Sequence, residues 1–377
     1  MKTHHVGIIG FGFIGKVHAY AYRNLALFYD PVPLEAEITH VCTSRPETAE
    51  KGRSLIGATH AVTDYREITE NPEIDIVHVC TPNHLHKDAV LSAMAHGKHV
   101  YCDKPLTATR DEAEEIARAA AGYRGVSQMT FHLRFFPAIM RARQLVEGGF
   151  LGEVLEFRAA FLHAGSARPE APLKWKLTKA AGGGVIADLA SHAFDMIHHL
   201  LGDFHAVSSL TKIAYAKRPS LDDPSVLLDV DAEDSVLMLA KMRAGAVGTI
   251  EATKLASGSE DELRIEIHGS RGALRFNSMD PHHLEAYDAT VDDGPIGGMR
   301  GWTAIDCGQR YPPPATGFPA VKSTLGWIRA HVACLHHFLA AVAEQRPTGL
   351  GLEQGIYIQR IMEAARHSAE EGRWVVC

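Results

Sequence analysis

Residues 5–15 read His-Val-Gly-Ile-Ile-Gly-Phe-Gly-Phe-Ile-Gly, an apolar run that ends in three closely spaced glycines. This is the pattern of a strand that turns into a helix and carries the diphosphate of a dinucleotide. The first glycine permits the tight turn, the second admits the diphosphate to the backbone, and the third lets helix and strand pack closely. The helix N-terminus adds free N–H groups and a positive dipole end. The predicted contacts are Gly10, Gly12, Phe13, Ile14 and Gly15.

The remaining sequence predicts two domains. In the first third, short apolar runs alternate with helical patterns, which is typical of βαβ units on a parallel sheet. We therefore predict an α/β protein whose residues 1–134 form a Rossmann fold, a doubly wound parallel sheet. Alternating strand patterns then predict an α+β domain over residues 135–377, with a mainly antiparallel open sheet, for substrate binding and oligomerisation. Residues 277–319 are rich in Gly, Pro and Asp and are interpreted as an insertion or lid.

The end of the second predicted strand bears on the choice between NAD and NADP. NAD-binding domains usually present Asp or Glu there, for the ribose 2′-hydroxyl. This chain has Cys-Thr-Ser-Arg at 42–45, and Ser44 and Arg45 could contact a 2′-phosphate. Alternatively, Arg45 is a solvated residue of the next helix, and Glu35 or Glu37 reaches the ribose. The predicted cofactor is NAD or NADP, with a slight preference for NADP.

Two later loops follow predicted strands at the carboxyl edge of the same sheet, where doubly wound folds bind ligands. In Thr81-Pro82-Asn83, the proline presets the turn, and the Asn side chain could bind the cofactor or cap the next helix. Lys104 follows the next strand and could exchange a proton with a substrate hydroxyl. Taken alone, this lysine is more typical of a surface loop.

A third group of candidates lies on one predicted helix. Asp188, His192 and Asp195 stand at positions i, i+4 and i+7 and therefore share a face. Histidine titrates near neutrality, so His192 suits the acceptance of a hydroxyl proton. Asp188 would orient a substrate hydroxyl, and Asp195 would hold His192 or cap the structure. A solvated polar stripe is the alternative. Trp175 and Lys176 are candidate walls of the substrate site, although core packing explains Trp175 equally well.

Together, these motifs resemble the Gfo/Idh/MocA oxidoreductases, which act on sugars and polyols. The resemblance covers nearly the whole chain. It implies that His86, Asp103 and Lys104 join the cofactor contacts, and that Lys104, Asp188 and His192 line the substrate site. The family commonly has Glu where this chain has Asp103. It often has Asn-Tyr-Arg-Phe where this chain has Phe-His-Leu-Arg-Phe at 131–135, which leaves Arg134 as the matching substrate contact.

The predicted function is that of an NAD(P)-dependent dehydrogenase acting on a CH–OH group of a sugar, glycoside or cyclitol. Lys104 and His192 would handle the hydroxyl proton, and Asp188 would orient the substrate. One alternative is an oxidoreductive, non-hydrolytic glycosidase that uses NAD(P) catalytically. Another is a non-catalytic cofactor-sensing regulatory protein, which would need none of these three residues.

Composition restricts location and partners. A net charge of −7 and the lack of basic runs argue against nucleic acid as a partner. No apolar stretch reaches the roughly 18 residues of a membrane span, which favours a cytoplasmic protein. The 6 cysteines lack CxxC spacing and the 23 histidines lack zinc-site spacing, so we expect free thiols and no metal. The resemblance implies a homodimer or homotetramer with a small sugar or polyol as substrate.

Overall fold

A computed structural model describes residues 2–377 and divides them into two compact units. The N-terminal unit runs to His132 and also contains Tyr311–Ala320 and Gly326–Gln359. The C-terminal unit contains Leu133–Arg310, Val321–Leu325 and Arg360–Cys377. Late segments of the chain therefore group with the first unit, which the predicted boundary at residue 134 does not anticipate.

The N-terminal unit is built on a parallel sheet of six strands in the order β3-β2-β1-β4-β5-β6, which confirms the predicted Rossmann fold. The strand order reverses between β1 and β4, and ligands bind at such a switch point in doubly wound sheets. The strands are β1 (His4–Ile9), β2 (Ala36–Cys42), β3 (His60–Val62), β4 (Ile76–Val79), β5 (His99–Cys102) and β6 (Ser127–Met129). The helices are α1 (Phe13–Phe28), α2 (Pro46–Ile56), α3 (Arg66–Thr69), α4 (His86–Ala95) and α5 (Arg110–Ala120).

Local sequence explains several of these boundaries. Helix α5 begins with a capping box, in which the Thr109 hydroxyl accepts from the Glu112 N–H and the Glu112 carboxylate accepts from the Thr109 N–H. Helix α2 begins with Pro46 and ends at Gly57, whose φ of 66° is left-handed. Strand β4 is buried along its whole length, as expected for the centre of a parallel sheet.

The C-terminal unit is built on a mixed, mostly antiparallel sheet of nine strands in the order β16-β15-β14-β13-β7-β12-β11-β8-β17, as predicted for the second domain. Strands β7 and β12 form the parallel pair. Helices α6 and α7 pack on one face. These elements are α6 (Pro137–Glu147), β7 (Val154–Leu162), α7 (Ser191–Leu201), β8 (Phe204–Lys212), β9 (Lys217–Pro219), β10 (Leu227–Asp229), β11 (Ser235–Met242), β12 (Val247–Thr253), β13 (Glu262–Gly269), β14 (Gly272–Asn277), β15 (His283–Asp288) and β16 (Trp302–Asp306).

The last elements are α8 (Trp327–Glu344), α9 (Leu352–Glu371) and β17 (Val375–Val376). Helix α8 belongs to the N-terminal unit, and the residues of α9 are divided between the two units. Within residues 2–377, no helix is long and apolar enough to cross a membrane. All six cysteines lie in this described part of the chain and are free thiols, as predicted.

Residues 277–319, interpreted from sequence as an insertion or lid, contribute two strands to the C-terminal sheet. Strand β15 pairs with both β14 and β16, and His283 of β15 lies opposite Asp306 of β16. The strands were missed because their sequences, His-Leu-Glu-Ala-Tyr-Asp and Trp-Thr-Ala-Ile-Asp, are short and partly polar. The Gly-rich loop that joins them and the Pro-rich stretch after β16 dominate the composition of the segment.

A buried group of polar side chains crosses the core of the N-terminal unit. The Nδ1 atoms of His18 and His78 are 3.0 Å apart, the Tyr22 hydroxyl lies 2.9 Å from His78 Nε2, and the Cys80 thiol lies 3.1 Å from His18 Nδ1. Burial lowers the pKa of His18 to about 4, opposed in part by the Asp103 carboxylate. Burial, reinforced by His18, also holds the pKa of His78 well below its ordinary value. Both imidazoles are therefore neutral in the folded protein near pH 7.

This cluster predicts a loss of stability in mild acid. Between pH 6.5 and about 4, the unfolded chain binds a proton at His18 that the folded chain excludes. The free energy of unfolding should therefore fall as the pH falls, by up to about 1.4 kcal/mol per pH unit for each such histidine. In His18→Gln, urea unfolding across this range should give a shallower slope. The exposed His96→Gln controls for loss of an imidazole as such, and equal slopes in His18→Gln and wild type would contradict the prediction.

Candidate active site

The glycine turn between β1 and α1 has the geometry of a diphosphate cradle. Gly10 has a φ of +90°, and a Cβ there would lie 2.6 Å from the carbonyl oxygen of Cys80. A Cβ on Gly15 would lie 2.3 Å from the carbonyl oxygen of Gly10. Both positions therefore require glycine for the packing of the protein itself.

Gly12 differs, because a Cβ there would meet no atom of the described chain within 4 Å. Packing within the protein therefore does not demand this glycine, whereas a diphosphate approaching the backbone does. The first turn of α1 carries no acidic residue, so no carboxylate competes for its N–H groups. Phe13 is 71% exposed at the same turn, where it can contact a ligand. The turn therefore fits the diphosphate of a nicotinamide dinucleotide.

The end of β2 presents Ser44 and Arg45 to solvent. Arg45 precedes α2, and its carbonyl oxygen accepts a hydrogen bond from the Thr43 hydroxyl at 3.0 Å. Glu37, by contrast, lies at the start of β2 opposite His5, and Glu35 precedes the strand. These two carboxylates lie at the opposite end of β2 from Ser44, so the alternative in which one of them reaches the ribose is wrong.

The loop after β4 is anchored by a buried histidine. The ring nitrogens of His86 lie 2.7 Å from the carbonyl oxygen of Thr81 and 3.0 Å from that of Pro105. His86 is 0% exposed and thus joins the two loops that carry candidate residues. Asn83 is buried and opens a short 3-10 turn, and Leu85 is the residue that directly precedes α4. Direct cofactor contacts of His86 and Asn83 stay predictions.

Lys104 follows β5 in the second of these loops and is half-buried. The neighbouring Asp103 accepts a hydrogen bond from the Thr130 hydroxyl at 2.7 Å, which ties the loop to the end of β6. Both loops therefore stand at the carboxyl edge of the sheet, beside the glycine turn. This is the location predicted from the sequence, and it belongs entirely to the N-terminal unit.

In the C-terminal unit, Asp188 lies in a π-helical turn, Ile186–Ala190, directly before α7. Such turns are rare and concentrate at functional sites. Gly184 precedes the turn with a φ of +102°, and a Cβ there would lie 2.2 Å from the Glu233 carboxylate. That carboxylate accepts a hydrogen bond from the Ile186 N–H at 3.0 Å. Gly184 is thus needed for a contact with the protein itself, and Glu233 fixes the start of the turn.

His192 lies one turn after Asp188, in α7, and is 7% exposed. Its ring packs 5.9 Å from the ring of Phe161 on β7, measured between centroids. The predicted face of the helix is therefore not a solvated stripe, because Asp195 is also buried, at 1% exposure.

Asp195 and Arg134 form a buried ion pair. The guanidinium donates twice to the carboxylate, at 2.6 and 2.7 Å, and the two side chains are 2% and 11% exposed. Arg134 Nη1 also lies 3.3 Å from His199 Nδ1. The structure thus gives Asp195 a partner other than His192, and the predicted substrate contact of Arg134 stays a prediction. Breaking such a pair typically costs about 3–5 kcal/mol because the remaining charge is buried.

The Asp188 carboxylate contacts two lysines. Lys176 Nζ lies 2.8 Å from Oδ1, and Lys254 Nζ lies 3.1 Å from Oδ2. Lys176 was predicted as a substrate contact, and the structure brings it together with Asp188. Trp175 beside it is 37% exposed, so it is not a core residue. Lys254 was missed, because it follows β12 outside every recognised motif.

Residues 2–377 contain no group of three or more His, Cys, Asp or Glu side chains that could hold a metal ion. The expectation of no metal stays a prediction.

Comparison with known families explains why these loops occur together. A profile of the oxidoreductase family, NAD-binding Rossmann fold, matches residues 4–131, and one of the oxidoreductase family, C-terminal alpha/beta domain, matches residues 143–377. The chain belongs to the Gfo/Idh/MocA oxidoreductase family. The resemblance inferred from the motifs is therefore confirmed, and this Gfo/Idh/MocA protein is an NAD(P)-dependent dehydrogenase.

Curated relatives match over their full length. Levoglucosan dehydrogenase of Pseudarthrobacter phenanthrenivorans is 30% identical over 387 residues, covering 100% of this chain and 98% of the relative. The scyllo-inositol 2-dehydrogenase (NADP(+)) of Bacillus subtilis is 25% identical, with coverage of 100% and 96%. A solved levoglucosan dehydrogenase in complex with NADH and levoglucosan gives a TM-score of 0.92 at 30% identity, with coverage of 100% and 99%.

Proposed function

We propose that this dehydrogenase oxidises a ring hydroxyl of a sugar, glycoside or cyclitol. The observation that carries the proposal is the placement of two side chains on one helical segment. They are the ion-paired carboxylate of Asp188 and the buried imidazole of His192. A carboxylate held in this way is a directed acceptor for a substrate hydroxyl. Relatives named as levoglucosan and inositol dehydrogenases support the same substrate class.

The residues of each unit have separate tasks. The glycine turn, Ser44–Arg45 and Thr81–Asn83 would hold the dinucleotide, whose nicotinamide supplies the hydride acceptor. Lys104 and His192 hold and move the proton of the reacting hydroxyl. Asp188 accepts a hydrogen bond from a hydroxyl and thereby fixes the ring, and the exposed face of Trp175 packs on its C–H groups.

The first test concerns Lys104. We expect Lys104→Ala to lose at least about a hundredfold in turnover, because general acid–base groups contribute roughly that much. NADH and NADPH binding, followed by nicotinamide fluorescence, should change little. Wild-type turnover is first measured by accumulation of reduced cofactor with levoglucosan, inositols and a wider polyol panel.

The control is Lys87→Ala, which removes a lysine of the same unit that pairs with Glu115 at 3.2 Å. Wild-type turnover in Lys104→Ala would refute the role of this lysine. Failure of every sugar and polyol, despite cofactor binding, would refute the substrate class.

For the cofactor, we propose a preference for NADP(H) set by Ser44 and Arg45. The end of β2 offers these exposed residues, while Glu35 and Glu37 lie at its other end. A relative is named as NADP(+)-dependent, whereas the solved levoglucosan dehydrogenase complexes contain NADH. The cation of Arg45 and the hydroxyl of Ser44 suit a 2′-phosphate.

The second test is Arg45→Ala. Its affinity for NADPH should fall about tenfold, which corresponds to loss of one partly solvated charge-assisted hydrogen bond of roughly 1.4 kcal/mol. NADH affinity should change much less, and Arg53→Ala in the following helix, α2, should affect the affinity for neither cofactor. Tighter wild-type binding of NADH than of NADPH would contradict the preference. Equal losses of affinity for NADPH and NADH in Arg45→Ala would contradict it as well.

We also propose that the face of the C-terminal sheet opposite α6 and α7 binds a second copy of this chain. Leu210 and Leu237 are cross-strand neighbours on this face and are 67% and 52% exposed, and Leu239 is 52% exposed. Beside them, Arg158 lies opposite Glu266 on adjacent strands. Apolar side chains flanked by charges of both signs suit a symmetric, self-complementary contact.

The third test is the molar mass of Leu237→Glu in light scattering. A carboxylate placed in this apolar face should convert a dimer or tetramer into a smaller species. Leu221→Glu, at an exposed leucine in the loop between β9 and β10, is the control. A monomeric wild type, or an unchanged mass in Leu237→Glu, would exclude this interface.

A further inference from the structure

The two lysines on Asp188 occupy different environments. The Lys254 side chain is 7% exposed, whereas that of Lys176 is 47% exposed. They also contact different oxygens of the carboxylate, Oδ2 and Oδ1. Oδ2 of the Asp188 carboxylate is therefore paired with a buried ammonium, and Oδ1 with a half-exposed one.

The backbone of Lys254 is fixed on both sides. It follows β12, a central strand of the sheet between β7 and β11. Its N–H donates to the carbonyl oxygen of Asp234 at 2.9 Å, and its carbonyl accepts from the Ser166 N–H at 2.8 Å. The Lys254 side chain is 7% exposed, and a buried ammonium needs an opposite charge. Asp188 supplies that charge.

The backbone of Asp188 is fixed as well. Its N–H donates to the carbonyl oxygen of Gly184 at 3.0 Å, and Glu233 binds the N–H of Ile186 two residues earlier. Glu233 is adjacent to Asp234, whose carbonyl receives the Lys254 N–H. Both members of the pair are therefore anchored at the same point of the chain, residues 233–234, just before β11.

Lys176 is held less firmly. It lies in the 3-10 turn Trp175–Leu177, and half of its side chain is in water. A solvated ion pair of this kind contributes little to stability, so the ammonium can leave Oδ1 at low cost. Lys254 would continue to neutralise the carboxylate after Lys176 has left.

We propose that Lys254 is a positioning residue for the dehydrogenase reaction, and that Lys176 is the exchangeable partner whose place at Oδ1 a substrate hydroxyl takes. The inference rests on the proposed function, in which Asp188 orients the substrate. With Lys254 present, Oδ1 accepts the hydroxyl while Oδ2 stays paired. Without Lys254, Lys176 becomes the remaining ammonium on the carboxylate and competes with the substrate for it.

The test compares Lys254→Met, Lys254→Arg and Lys176→Met in steady-state kinetics with levoglucosan and scyllo-inositol. Lys254→Met should lower kcat/KM at least about tenfold, mainly through KM, because Lys176 then competes with the substrate for the carboxylate. Lys254→Arg, which restores the buried charge, should recover most of this loss. The loss in Lys176→Met should be at least fivefold smaller than in Lys254→Met.

The matched control is Lys98→Met in the N-terminal unit. Lys98 is also buried, at 6% exposure, and its ammonium donates to the carbonyl oxygens of Asn71 and Ile74. Its removal should lower the melting temperature and leave both kinetic constants unchanged. A drop in kcat/KM in Lys98→Met as large as in Lys254→Met would show that loss of a buried lysine, rather than position at Asp188, causes the effect.

A double-variant cycle of thermal stability tests the ion pair between Lys254 and Asp188 without measuring activity. The losses of melting temperature in Lys254→Met and Asp188→Asn should not add in the double variant, because each removes the partner of the other. Additive losses of melting temperature would overturn this inference, and so would wild-type KM and kcat in Lys254→Met. If Lys104→Ala is inactive in the same assays, the proposed function stands and only the positioning role fails. If no sugar or polyol is oxidised by the wild type, the proposed function fails and the positioning role fails with it.

Discussion

The close approach of backbones at Gly10 and Gly15 is the constraint on which the N-terminal domain depends. At these two positions, a Cβ would collide with the carbonyl oxygens of Cys80 and Gly10. Contact of this kind lets β1, α1 and β4 meet at the switch point of the sheet. The loops that carry Asn83 and Lys104 leave the same edge, so their positions follow from that contact. A Cβ at Gly12, by contrast, would meet no atom of the described chain within 4 Å, and this is the position proposed to admit the diphosphate.

In the C-terminal domain, the corresponding constraint is charge compensation. The buried ammonium of Lys254 and the carboxylate of Asp188 each make the other tolerable in a dry environment. Arg134 and Asp195 repeat this arrangement on the same helix segment. Two carboxylates of this helical segment, Asp188 and Asp195, are therefore each compensated by a largely buried cation.

Local motifs were sufficient to predict the Rossmann fold, because β1, the glycine turn and α1 follow one another directly in the sequence. The helix that carries Asp188 and His192 was predictable for the same reason. The partner of Asp195 was not, since Arg134 lies 61 positions away and only the folded chain brings them together. Lys254 gave no signal either, because a lysine directly after a strand is ordinarily a surface residue. Strands β15 and β16 were missed because the loop between them obscured their alternation.

Arg218, on strand β9, is another buried cation of the C-terminal domain, and it is 0% exposed. It donates to the carbonyl oxygens of Ser166 and Arg168 at 2.7 Å, and it lies 3.9 Å from the Asp234 carboxylate. The segment before Trp175 is thus held through its backbone. Its side chains can therefore vary in sequence, whereas the course of its backbone cannot. Exchange of this segment between relatives would succeed only where the incoming loop presents carbonyl oxygens at the same points.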